Sequence, residues 1–99
     1  MGFEYKIKAN LSEKIRTEIQ CLLENNKMFD KKYEFEGKMF WDFRQTDNNG
    51  VMPNMSITFE NDGIYICQNS SSYLWVDLEA LKHYFDKEDI KYEIVDYQN

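Results

Sequence analysis

The sequence predicts an α+β domain, a sheet covered on one side by two helices, and three observations carry that prediction. The stretch YEFEGKMFWDFR at 33–44 alternates apolar and polar side chains. Leu11, Ile15, Ile19, Leu22 and Leu23 recur at helical spacing, as do Leu74, Trp75, Leu78, Leu81 and Phe85. Short alternating runs bounded by Asn, Asp and Gly fill most of the remainder.

In chain order, Phe3, Tyr5 and Ile7 alternate with Glu4, Lys6 and Lys8 as a first half-buried strand. Asn10 or Ser12 then caps a helix over 12–24, with Glu13 at capping-box distance from Asn10. Asn25-Asn26 closes that helix, because Asn tolerates the left-handed conformation. The 33–44 stretch reads as one long strand, with Tyr33, Phe35, Gly37, Met39, Trp41 and Phe43 turned inward and Glu34, Glu36, Lys38, Phe40, Asp42 and Arg44 turned outward. Its length and its aromatic inner face place it at or near the middle of the sheet, and a right-handed crossover through the first helix makes it a parallel neighbour of the first strand. QTDNNG at 45–50 is a loop with Pro53 at its far edge. Met55, Ile57 and Phe59 alternate with polar residues, Asn61-Asp62-Gly63 makes a tight turn, and residues 64–67 return as the second arm of a hairpin. QNSSS at 68–72 is a second polar loop, a second helix covers 73–86, and Ile90, Tyr92 and Ile94 close the chain as a last strand. The order βαβββαβ is that of a ferredoxin-like two-layer sandwich with an additional strand, its sheet mostly antiparallel and its outer face open to solvent.

A chain of 99 residues with 42% hydrophobic and 16% aromatic content supports a single domain, residues 1–99, with one core. Its 12 basic and 18 acidic residues give a formal charge of −6, spread along the chain. A negative field disfavours nucleic acid and anionic membranes as partners and suits a basic protein. Phe40 and Tyr65 on the outer face have the form of base-stacking aromatics, but the carboxylates around them oppose RNA. No run is apolar enough for a signal peptide or a membrane span, which points to the cytoplasm and leaves the sequons at Asn10, Asn54 and Asn69 without meaning. Cys21 and Cys67 lack any metal-type spacing; one disulfide is conceivable, and two apolar thiols in the core fit better.

Chemistry is hard to find. His83 is the single histidine, and Glu79, His83 and Asp86 share one helical neighbourhood that would hold a divalent ion weakly; charges at that spacing more often mark a solvated helix face. No Gly-x-Ser-x-Gly motif and no phosphate cradle is present, since Gly2, Gly37, Gly50 and Gly63 are isolated. The expectation is a non-enzymatic chain with no cofactor and no metal. Three readings follow: an acidic neutralising partner, a self-associating domain such as a homodimer, and a small-molecule sensor with a cleft between sheet and helices. Contact candidates are the acidic and aromatic residues expected outside the core, namely Asp42, Asp47, Tyr65, Tyr73, Asp77, Glu79, Tyr84 and Asp86. Trp41 and Trp75 fall on apolar stripes and are expected inside.

The run MPNMSITFENDGIYIC, with the FEYKI-like first strand, two amphipathic helices and acidic finish around it, resembles small bacterial proteins found among the immunity proteins of polymorphic and contact-dependent toxin systems. The resemblance covers most of the chain as a pattern and transfers no functional residue. It implies a cytoplasmic protein that binds a co-encoded toxin and blocks it sterically.

Overall fold

A computed structural model describes the backbone of residues 3–68 and 75–96 and the side chains of residues 4–68 and 80–95. The elements are β1 (Phe3–Ala9), α1 (Glu13–Glu24), β2 (Phe29–Phe35), β3 (Lys38–Phe43), β4 (Met55–Glu60), β5 (Gly63–Gln68), α2 (Trp75–Lys87) and β6 (Tyr92–Asp96). The strands form one six-stranded sheet in the order β2-β3-β4-β5-β1-β6, with antiparallel pairing throughout. The class is α+β, as the periodicities require, but the strand count and order differ from the ferredoxin-like βαβββαβ plan. β1 lies between β5 and β6 and has no parallel neighbour, so the expected crossover pair is absent among the described strands.

The source of the difference is one turn. Residues 33–44 are not a single strand: the chain reverses at Glu36 (φ 52°) and Gly37 (φ 81°), and Phe35 pairs with Lys38. Positive φ at both central residues is the requirement of a type I′ hairpin turn, which suits the right-handed twist of its strands. Such a turn also exchanges faces. In an unbroken strand odd positions share a side, whereas across a two-residue turn Phe35 faces the same way as Lys38, and Tyr33 the same way as Phe40. Tyr33 and Phe35 are thereby carried to the side opposite Trp41 and Phe43, and β2 becomes an edge strand instead of a central one.

The helices cover the other side. Ser12 caps α1, its hydroxyl accepting from the Ile15 N–H at 3.2 Å, and Glu13 sits favourably in the first turn. At the far end Asn25 keeps right-handed angles (φ −90°, ψ −3°), so the left-handed closure expected there does not occur. Instead the Asn26 side chain accepts from the Met28 N–H at 2.8 Å and turns the chain into β2. α2 does close through a left-handed residue, Asp89 (φ 57°), with Asp89 N–H donating to the Asp86 carbonyl and Ile90 N–H to that of Phe85. Between helices and sheet lies one core of Tyr5, Ile7, Ile19, Leu23, Trp41, Phe43, Met55, Ile57, Ile64, Ile66, Leu81 and Phe85 with their neighbours. Trp41 is buried as expected, while the Trp75 side chain lies outside the described residues. Cys21 is exposed and Cys67 half-buried, so a core position for both thiols is not what the fold provides.

The β4–β5 turn is where the sequence places it. Gly63 (φ 155°) is required there sterically, because a Cβ would lie 2.0 Å from the Ile7 carbonyl oxygen on β1. The loop at 44–54 is tied internally: the Arg44 guanidinium donates to the carbonyls of Asn48, Gly50 and Val51, and buried Asn54 accepts from the Gln45 N–H and the Asn48 amide.

Candidate binding face

Among the described residues the helices meet one side of the sheet. The Trp41 indole N–H donates to the Glu24 carboxylate at 2.9 Å, the Arg16 guanidinium lies over Phe59, and Phe85 packs on Tyr92. Among the described residues neither helix touches the opposite side, where the pairing registers set three rows across the strands. The first runs Lys31, Asp42, Ser56, Cys67, Glu4; the second Tyr33, Phe40, Thr58, Tyr65, Lys6; the third joins the pair Phe35, Lys38 to Glu60, Gly63, Lys8 through the Lys38–Glu60 ion pair.

Aromatic rings dominate the β2–β3 end of this face. Tyr33 stacks on Phe40 with centroids 5.6 Å apart and planes 15° from parallel, and Phe35 meets Phe40 edge-on at 6.5 Å. Phe35 remains 58% exposed and Tyr33 37%. Offset stacking and edge-to-face contact hold the rings in place, yet water still reaches them. Beneath them Asp42 is only 3% exposed, accepting from the Ser56 hydroxyl at 2.9 Å and lying beside the Tyr33 phenol. Burial, then the Asp42 carboxylate, pushes the Tyr33 phenol above its ordinary pKa. Thr58 is buried as well, donating to the Met39 carbonyl at 2.7 Å.

The β5–β1 end is charged and largely satisfied within itself. Tyr65 donates to the Glu4 carboxylate, and burial followed by that carboxylate raises its pKa; the same two influences raise the Cys67 thiol. Lys6 bridges Asp62 and Glu60, the latter at 2.8 Å, and Lys38 reaches Glu60 at 3.4 Å. These contacts raise Lys6 and hold Glu60 and Asp62 below the ordinary carboxylate range. An open groove of about 730 Å³ lies among Lys6, Lys38, Met39, Glu60 and Asp62, at the ends of the two hairpins. Between the helices, Leu22, Leu23, Asn26, Ala80 and Leu81 enclose only about 30 Å³, the share of a single water.

The eight contact candidates separate widely. Tyr65 stands half-buried on the open face, as expected. Asp42 is on that face but buried under Tyr33, contrary to the expectation of an accessible carboxylate, because the hairpin turn lays the β2 rings over it. Tyr84 is also not a free surface group: it donates to Glu18 and ties α2 to α1. Asp47 is exposed on the 44–54 loop, off the face, and Asp86 is exposed at the end of α2. Tyr73 lies outside the described residues, as do the side chains of Asp77 and Glu79. His83 is exposed, and among the described residues no three His, Cys, Asp or Glu side chains converge. Tyr33 and Phe35, which the alternation places in the core, are exposed on the open face; the signal that finds them is Gly37 after Glu36 in the middle of an apparent strand, since an interior glycine marks a bend or reversal.

No protein-family model matches the chain, and no curated protein or solved structure does either. No helix among the described residues is long and apolar enough to cross a membrane. Fold and site together define an α+β protein with one helix-covered and one open sheet face, and an aromatic platform on the open one.

Proposed function

We propose that this chain is a non-enzymatic binding protein that docks a basic protein partner on its open sheet face, and that it acts in the cytoplasm as an immunity-type protein blocking a toxin by occupying its surface. The observation that carries the reading is the cluster of exposed Tyr33 and Phe35 around half-buried Phe40. Rigid aromatics with few rotatable bonds are favoured contact anchors, and their faces accept the guanidinium or ammonium groups of a basic partner. Lys31 already holds its ammonium 5.6 Å from the Tyr33 ring centroid. The net charge of −6 adds long-range attraction that speeds encounter without fixing the contact.

The test is a pull-down of the protein encoded beside this chain, and of a lysate of its source, at low and high salt. The reading expects a basic protein retained at low salt and weakened at high salt, with retention lost in the Phe35→Ser/Phe40→Ser variant. Retention unchanged in that variant would remove the open face from the account. The alternative, a homodimeric small-ligand-binding or sensor domain, draws less support, since the space among Leu22, Leu23, Asn26, Ala80 and Leu81 is about 30 Å³.

A further inference from the structure

β2 is an edge strand, with β3 on one side and, among the described residues, no strand on the other. An edge of this kind is a template for pairing and is usually shielded. Here it carries exposed Tyr33 and Phe35, and exposed Met39 follows in the same hairpin. Its regular part is bounded by an irregularity between Phe29 and Lys31 at one end and by the Glu36-Gly37 turn at the other. What remains is the run 31–35, whose midpoint is Tyr33.

We propose that β2 pairs antiparallel with β2 of a second copy about a two-fold axis at Tyr33, joining two six-stranded sheets into one. The choice of register rests on charge. Residues directly opposite each other in an antiparallel pair point to the same face, so a two-fold perpendicular to the sheet must pass through a residue position. Within the run 31–35, an axis at Lys32 sets Lys32 against its own copy. An axis at Glu34 sets that carboxylate against itself and carries the pairing into the turn. Like charges directly opposite destabilise a ladder. An axis at Tyr33 sets Lys32 opposite Glu34 in each direction, two unlike pairs, and places Lys31 opposite Phe35, its methylene stem along the ring. Both members of the unlike pair are available: Glu34 is exposed and makes no ion pair among the described residues, and Lys32 touches Glu24 only at 3.3 Å on an exposed surface. The lysines that guard the edge against other strands therefore favour this one. The stacked Phe40 and Tyr33 rings of one copy then continue into Tyr33 and Phe40 of the other, so the second copy extends the aromatic platform. The pairing stands independently of the basic-partner reading, because it uses the strand edge and leaves the sheet face open.

Single cysteines introduced into the full chain carrying Cys21→Ser and Cys67→Ala test the register. Under mild oxidation Tyr33→Cys should form a disulfide-linked dimer, since residues paired across a ladder fall within bridging distance. Lys31→Cys and Phe35→Cys should each fail alone and cross-link to one another when mixed. Light scattering over a concentration series, with circular dichroism to verify the fold, gives the second arm. Lys32→Glu and Glu34→Lys should each raise the dimer dissociation constant by about tenfold, two reversed pairs at roughly the value of cross-strand charge contacts. The double variant should restore the original value. A monomer at every concentration, a dimer indifferent to Lys32→Glu, or a double variant no tighter than the singles overturns the proposal. None of these outcomes alters the salt-graded pull-down, so the two readings fail separately.

Discussion

The two faces of the sheet use aromatic residues in opposite ways. On the covered face Trp41 and Phe43 are buried beneath the helices, and the one polar atom of Trp41 is matched by Glu24. On the open face Tyr33, Phe35 and Phe40 touch one another but leave ring surface in water. Burial on the first face stabilises the fold by several kcal/mol for a large side chain, of order 3–5. Rings on the second contribute about 0.5–1.5 kcal/mol per contact, well short of what their size would yield if buried. Stability accounts for the first set and leaves the second available for recognition.

Substitutions should separate the faces by size of effect. Phe43→Ala, which empties a fully buried site, is expected to cost about 3–5 kcal/mol in urea unfolding. A loss below about 1 kcal/mol there would mean that the helices do not seal this side. Gly63→Ala comes next. It forces a Cβ against the Ile7 carbonyl and should cost about 1–3 kcal/mol by pushing β5 away from β1. Gly37→Ala meets no atom within 4 Å and should cost only the left-handed penalty of about 1–2 kcal/mol. The ranking is the sharper observable, and reversing it would contradict the assigned turn.

The pH profile separates charges from rings. Glu24 is held low chiefly by the Trp41 indole, and Glu60 and Asp62 chiefly by Lys6. A carboxylate with a depressed folded pKa lends stability that is present above its unfolded value, about 4, and lost as pH falls through the folded value. Thermal midpoints should therefore hold from neutral pH down to about 5 and drop below about 4. The Tyr33, Tyr65 and Tyr84 phenols and the Lys6 ammonium are all raised. Their stabilisation is complete below about pH 10 and lost as pH rises toward the folded values. A midpoint insensitive to acid would show that the Glu24 and Lys6 contacts are not formed in solution.

How far the sequence discloses this depends on the element. α1, expected at 12–24, is Glu13–Glu24, because a capping serine and an apolar stripe state the same answer. The β4–β5 hairpin is equally plain, since Asn61-Asp62-Gly63 is polar, flexible and interrupts the alternation. The β2–β3 hairpin is hidden. Its turn residues Glu36 and Gly37 fit the alternation on either side, and Glu36 adopts a positive φ that its type rarely takes. β2 also lacks a buried face, so its start at Phe29 leaves no periodic mark. That turn reverses every side chain of β2, so the alternation alone places Tyr33 and Phe35 inside and leaves Asp42 accessible. The open face is thus half visible in the sequence, through Phe40 and Tyr65, and the two rings that make it a platform are not.

The most direct measurement is made on the Phe35→Ser/Phe40→Ser variant, comparing its thermal midpoint and its retention of the basic partner with those of the unmodified chain. A midpoint lowered by only a few degrees, about 4–8 °C per kcal/mol for a domain of this size, together with lost retention, is the predicted result. Full retention in a folded variant would contradict the claim that the open face is the face that binds.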